Sequence, residues 1–164
     1  MTNAEIQRLI DENEPLPAGL TTTGSLELGS YAHPLPAGLT TTGSLELRSY
    51  AHPLPAGLLS RIKNDLFEIL TVAYQEIPAL QKALVDGKVD GSTYDGPCRC
   101  LVGTLERSGT VSLPHRASRP AEQWFIGINK GDTPATNEKA RIAAEWVDEF
   151  LQLNPTPPRR EALL

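Results

Sequence analysis

The spacing of apolar residues changes character along this chain, and each change predicts a different element. Near the start, Ile6, Leu9 and Ile10 stand three and four apart, which predicts a short helix that Thr2 or Asn3 can cap. From Pro15 to Leu58 the pattern is a tandem repeat: PLPAGLTTTGSLELGSYAH, then PLPAGLTTTGSLELRSYAH, then the truncated start PLPAGL. The two full copies differ only at Gly29 against Arg48. In each copy the leucines of TGSLEL (Leu26 and Leu28, Leu45 and Leu47) alternate with Ser25 and Glu27, or Ser44 and Glu46, as in a strand buried on one face. Pro and Gly in SYAHP and LPAGL turn the chain, and Leu16, Leu20, Leu35, Leu39, Leu54 and Leu58 fill the inside of each turn. Strand, turn and apolar return at constant period predict coils of a parallel solenoid.

Beyond Leu58 the period becomes helical. Ser60 is placed to cap a helix whose stripe is Leu59, Ile62, Leu66, Ile69, Leu70 and Ala73, widened by Phe67 and Tyr74. Pro78 interrupts or restarts it, and Ile77, Leu80 and Leu84 carry the spacing to Gly87. Cys98 to Arg107 reads as a strand through Cys98, Cys100 and Val102, or better as a helix through Cys98, Leu101, Val102 and Leu105, with Pro97 in its first turn. Pro120 to Asn129 is read as a helix with Ala121, Trp124, Phe125 and Ile128 on one face, with a strand through Trp124, Ile126 and Ile128 as the alternative. The last helix is given Thr133 as cap and Pro134 in its first position. Its ladders, Ile142-Trp146-Phe150 and Ala143-Val147-Leu151, are expected to bring both tryptophans into one core.

Leu26-Glu27-Leu28 followed by Leu35-Pro36-Ala37-Gly38-Leu39 resembles short bacterial leucine-rich-type repeats. The asparagine that ladders along the turns of such repeats is absent, with Ser30 or Ser49 the nearest polar substitute. The resulting fold class is α+β: two to three leucine-rich-like parallel β-solenoid coils capped by an N-terminal helix and a C-terminal helical domain. The boundaries are 1–14 for the capping helix, 15–58 for the repeat, 59–153 for the helical domain and 154–164 for a Pro-rich flexible tail. Two and a fraction coils fall short of the roughly three that repeat arrays need, so the flanking helices must cap the stack or a second copy must extend it through the repeat end. The stretches DGSTYDGPCRCLVGTL, AEQWFIGINKGDTP and EWVDEF are similar to uncharacterised proteins of tailed bacteriophages, some with LPxGL repeats. That resemblance implies a phage or prophage origin and brings no chemistry with it.

Composition narrows the function. With 40 % apolar and 21 % charged residues the chain can bury a core, and a net charge of −5 argues against a general nucleic-acid binder, which needs a cationic face. No basic-then-apolar leader and no bilayer-length apolar run is present, so a cytoplasmic location is expected, in the host bacterium if the chain is phage-encoded. Cys98-Arg-Cys100 with His115 lacks the spacing of a zinc site, and the helical reading buries Cys98 and exposes Cys100. No metal or cofactor is assigned.

Two groups of candidate residues remain. Arg107, His115, Arg116 and Arg119 lie in a span without an acid and could grip a nucleotide phosphate or another anion. Glu27, Tyr31, His33, Glu46, Arg48, Tyr50 and His52 recur along the repeat as a strip suited to a protein partner. No nucleophile elbow, phosphate loop, H-E-x-x-H or dinucleotide fingerprint occurs. The sequence therefore points to a non-enzymatic interaction protein binding a host or phage protein, with a counter-defence inhibitor as one form. A small-molecule binder that sequesters an anionic nucleotide is the alternative.

Overall fold

A computed structural model of the chain describes residues 1–114 and 119–158. The elements in order are α1 (Asn3–Asp11), β1 (Thr21–Thr22), β2 (Leu26–Glu27), β3 (Thr40–Thr41), β4 (Leu45–Glu46), α2 (Ala56–Val72), α3 (Ile77–Val85), α4 (Leu101–Leu105), α5 (Pro120–Phe125) and α6 (Glu138–Leu153). The class is α+β. The strands form small parallel pairs, β1 with β3 and β2 with β4, and not a closed solenoid.

The register of those pairs is the repeat itself: Thr21 lies beside Thr40 and Leu26 beside Leu45. Each unit therefore stacks on its copy, with Leu26, Leu28, Leu39, Leu45 and Leu47 almost fully buried, worth about 2 kcal/mol per side chain. The contact is close enough to exclude a side chain at Gly43, where a Cβ would stand 2.3 Å from the backbone carbonyl of Gly24. Thr41 Oγ1 donates to that carbonyl at 3.0 Å, tying the units at the same point.

Both ends of the stack are covered by the chain's own helices. Thr2 and Glu5 form a capping box that starts α1, and α1 lays its buried face, Ile6 and Ile10, on the first unit. Gln7 then acts as a one-residue strand. Its Nε2 donates to the Glu27 carbonyl at 3.0 Å and its Oε1 accepts the Glu27 N–H at 3.1 Å. Asn3 accepts from Thr22 Oγ1, in the place Gly24 takes for Thr41. At the far end the Leu47 N–H donates to Gln123 Oε1 at 3.3 Å, and Arg61 donates to the Thr41 carbonyl at 3.0 Å. These side chains satisfy strand edges that would otherwise stay open, so of the two alternatives, capping by the flanking helices or extension by a second copy, the chain shows the capping.

The third PLPAGL breaks the pattern. In the first two copies its glycine is a turn residue with positive φ, Gly19 at +73° and Gly38 at +91°. In the third, Ala56-Gly57-Leu58 is already the first turn of α2. The helix thus begins inside the expected repeat span and not at Ser60, because LSRIKNDL, unlike TTTGSLEL, continues a helical stripe.

Other boundaries also shift. Cys100, not a residue near Pro97, caps α4, because Arg99 is held extended beside Val89. Cys98 is accordingly half-buried and Cys100 buried, the reverse of the expected order. The helix over Pro120 to Asn129 ends at Phe125, and its strand alternative does not occur. Asn137, not Thr133, caps α6: its Oδ1 accepts the Ala140 N–H at 3.0 Å, while Thr133 and Thr136 close a turn upstream. Trp124 and Trp146 meet as expected, with ring centroids 5.1 Å apart. Buried apolar side chains form one cluster from Ile6 to Phe150, so repeat and helices share a core. Of the tail, Asn154 is tied by the Tyr74 hydroxyl, which donates to its carbonyl at 2.7 Å, and residues 159–164 lie outside the described residues.

The spacing argument predicts unequal costs for two equivalent substitutions. Gly43→Ala drives a methyl into fixed backbone and should cost about 2–3 kcal/mol, whereas Gly24→Ala meets only the movable Asn3 side chain and should cost about 1 kcal/mol. Chemical denaturation of both variants checks this; equal costs would mean that the units can separate.

Candidate functional site

The residues predicted from the repeat separate into two kinds. Tyr31 and Tyr50 are not surface groups: each is 4 % exposed. The Tyr31 hydroxyl donates to the Glu14 carbonyl at 2.8 Å and accepts the Leu16 N–H at 3.1 Å, while Tyr50 does the same to His33 at 3.2 Å and Leu35 at 2.9 Å. The rings stack at 6.3 Å, inclined by 17°. Each tyrosine thus ties the end of its own unit back to the start of the same unit. The histidines reinforce this across units. His33 Nε2 lies 2.9 Å from the Asn13 carbonyl and His52 Nε2 lies 2.7 Å from the Ala32 carbonyl. A carbonyl can only accept, so Nε2 carries the proton in both. Ser49 adds a bond from its hydroxyl to the Gly29 carbonyl at 3.0 Å.

The second kind faces outward. Glu27 is exposed and Glu46 half-buried, side by side in the parallel register, and Arg48 answers Glu46 at 3.0 Å. Like charges in adjacent strands repel, so this pair forms a negative ridge offset on one side only. Glu27, Tyr31 and Arg48 border a hollow of about 440 Å³ against α1. Arg48, Tyr50 and His52 border a second of about 560 Å³, where the end of the repeat meets α5 and α6. Arg48 is the residue common to both.

This second cleft was not visible in the sequence. Leu54, Leu59 and Ile142 line it with Lys139 and Trp124. The Lys139 ammonium lies 5.3 Å from the Trp124 ring centroid, and the Trp124 Nε1–H donates to the Lys139 carbonyl at 3.0 Å. Burial holds the Lys139 ammonium below its ordinary pKa. The only sequence sign was glycine at 127: a Cβ there would stand 2.4 Å from Lys139 Cδ, so the lysine lies across the glycine.

The basic loop is less free than its sequence suggests. Arg119 grips Asp65 through Nη2 at 2.7 Å and Nε at 3.2 Å, with only 19 % and 14 % of the two side chains exposed. Asp65 also accepts the Ala121 N–H at 3.0 Å. An acid from α2, far away in sequence, therefore engages the arginine that seemed unopposed. Arg107 is exposed, its guanidinium 3.5 Å from the Pro97 carbonyl. His115 and Arg116 lie outside the described residues.

Glu122 was also missed. It is 2 % exposed and accepts the Val102 N–H at 2.9 Å. Burial, and then the charge of Glu122, push the Cys100 thiol up to about 11, so Cys100 is a poor nucleophile at neutral pH. Among the described residues no three His, Cys, Asp or Glu side chains gather as a metal site. Among the same residues no helix is long and apolar enough to cross a membrane.

Two consequences can be measured. Thiol alkylation of the native protein near pH 7.5 should label Cys98 and spare Cys100, as mass spectrometry of the peptides would show, until denaturant exposes both. Burial raises the Tyr31 and Tyr50 phenols above their ordinary 10.0, with the Leu16 and Leu35 N–H groups opposing in part. The folded state then holds protons that the unfolded chain releases, so this contribution is complete below pH 10.0 and is lost as pH rises through the raised values. Thermal midpoints should fall more steeply above pH 10 in the native chain than in Y31F/Y50F. An equal fall in both would place the alkaline transition elsewhere. No protein-family model, curated protein or solved structure matches this chain.

Proposed function

We propose that this chain is a non-enzymatic interaction protein whose repeat binds another protein through its outward face. The reading carries with it a leucine-rich-like solenoid of two to three coils and a phage origin, with a host or phage component as the partner and inhibition of a host defence as one outcome. The observation that supports it best is the side-by-side pair Glu27 and Glu46. The two acids occupy equivalent places on successive units, Glu27 borders a hollow, and Arg48 neutralises only Glu46. Such a ridge favours a partner with basic side chains at the same spacing, and charge complementarity of this kind chiefly raises association rate and selectivity. The nucleotide reading is weaker, since Arg119 is already committed to Asp65.

Pull-down from a bacterial lysate should recover a basic partner with the intact protein. Recovery should be lost with E27Q/E46Q, which removes both the repulsion between the acids and the exposed Arg48–Glu46 pair and so should change stability little, and with a variant lacking residues 34–52. Raising the salt concentration should weaken capture. Recovery of the same proteins by all three forms, or of none by any, would sink the reading.

A further inference from the structure

The cleft between the repeat and the helical body has features that the protein-binding reading does not use. It is a hollow of about 560 Å³ walled by three separate segments of chain, within the range of small-molecule sites, which favour such seams. Its apolar wall combines the aliphatic side chains of Leu54, Leu59 and Ile142 with the rings of Tyr50 and Trp124.

Its cations differ in how they are engaged. Arg48 is paired with Glu46. His52 spends its Nε2–H on the Ala32 carbonyl. The acid in the wall, Glu138, is 77 % exposed and is met by Arg141 at 3.6 Å. Lys139 is different: it is half-buried, and among the described residues no carboxylate lies within ion-pair distance of it. Its ammonium is supported by the Trp124 ring and the bare backbone of Gly127, and no hydrogen bond ties it to another described residue. A cation taken partly out of water without a counter-charge is costly to hold. An anion entering the cleft would supply that charge.

We propose that this cleft binds a small organic anion, with its carboxylate or phosphate head on Lys139 and an aliphatic body against Leu54, Leu59 and Ile142. Binding rests on one charge-assisted contact and a modest apolar area, so the site selects by charge and shape and not by a dense set of hydrogen bonds. Asn137, although it borders the cleft, is not a ligand: its amide is committed to the Gly127 carbonyl at 3.1 Å, Asp132 at 2.8 Å and the Ala140 N–H.

The test uses the full chain with octanoate and octyl phosphate as probes, and octanol and octylamine as controls with the same body. Thermal shift and the fluorescence of the Trp124–Trp146 pair should respond to one or both anions and not to the controls; the two anions separate a carboxylate site from a phosphate site. Lys139→Met should weaken binding roughly tenfold, the loss of one charge-assisted contact, and Lys139→Arg should retain most of it. Gly127→Ala gives an independent arm, since its methyl displaces the lysine stem without removing the charge, and it too should weaken binding. A circular-dichroism melt of each variant establishes that it is folded. No response to either anion, an equal response to octylamine, or unchanged binding in folded Lys139→Met would overturn the proposal.

Discussion

Backbone contact between Gly24 and Gly43 sets the distance at which one unit sits on the next, and most of the molecule depends on that distance. At this spacing Thr41 reaches the Gly24 carbonyl, Ser49 reaches Gly29, His52 reaches Ala32, and the paired tyrosine rings stack. Leucines that would be half-exposed in a single unit become buried on both sides. A two-residue strand contributes little by itself. Here the pairing is backed by side-chain bonds that recur at every turn, so the short strands mark the register without carrying the cohesion alone.

A stack of two units has as much end as middle, and the chain devotes specific side chains to each end. Gln7 and Gln123 present amides to the two outer edges, on one side to Glu27 and on the other to Leu47. A side-chain amide has the same donor and acceptor as a peptide group, which lets a helix end a sheet without a further strand. Gln123 stands in α5 beside Trp124, so the residue that closes the repeat is held in place by the core of the helical body. The cleft on this seam is where a strand edge, a helix start and a lysine meet without filling the space between them.

Local periodicity revealed what depends on near neighbours: the helical stripes, the strand alternation of TGSLEL, the stop at Gly87 and the meeting of the tryptophans. It failed where the deciding partner was distant. Arg119 looked unopposed because Asp65 comes from a different helix. Tyr31 and Tyr50 looked like surface groups because they lie outside the alternating segment, and the backbone groups that satisfy their hydroxyls belong to the beginning of the turn. The third PLPAGL shows the same limit most directly, since one hexapeptide takes two conformations according to the residues that come after it. The cleft had no signal except Gly127, whose meaning depends on a lysine brought in by α6.

The single difference between the copies has a further consequence. Position 29 in one unit and 48 in the other both take the left-handed backbone, φ +52° for Gly29 and +44° for Arg48, a conformation that suits glycine and strains arginine. The substitution lies where the hollow beside α1 and the cleft beside α6 both open, and it places a cation at their shared border. Two units otherwise identical in sequence are thereby made unequal in charge: the first carries an uncharged residue at this place in the stack and the second a cation.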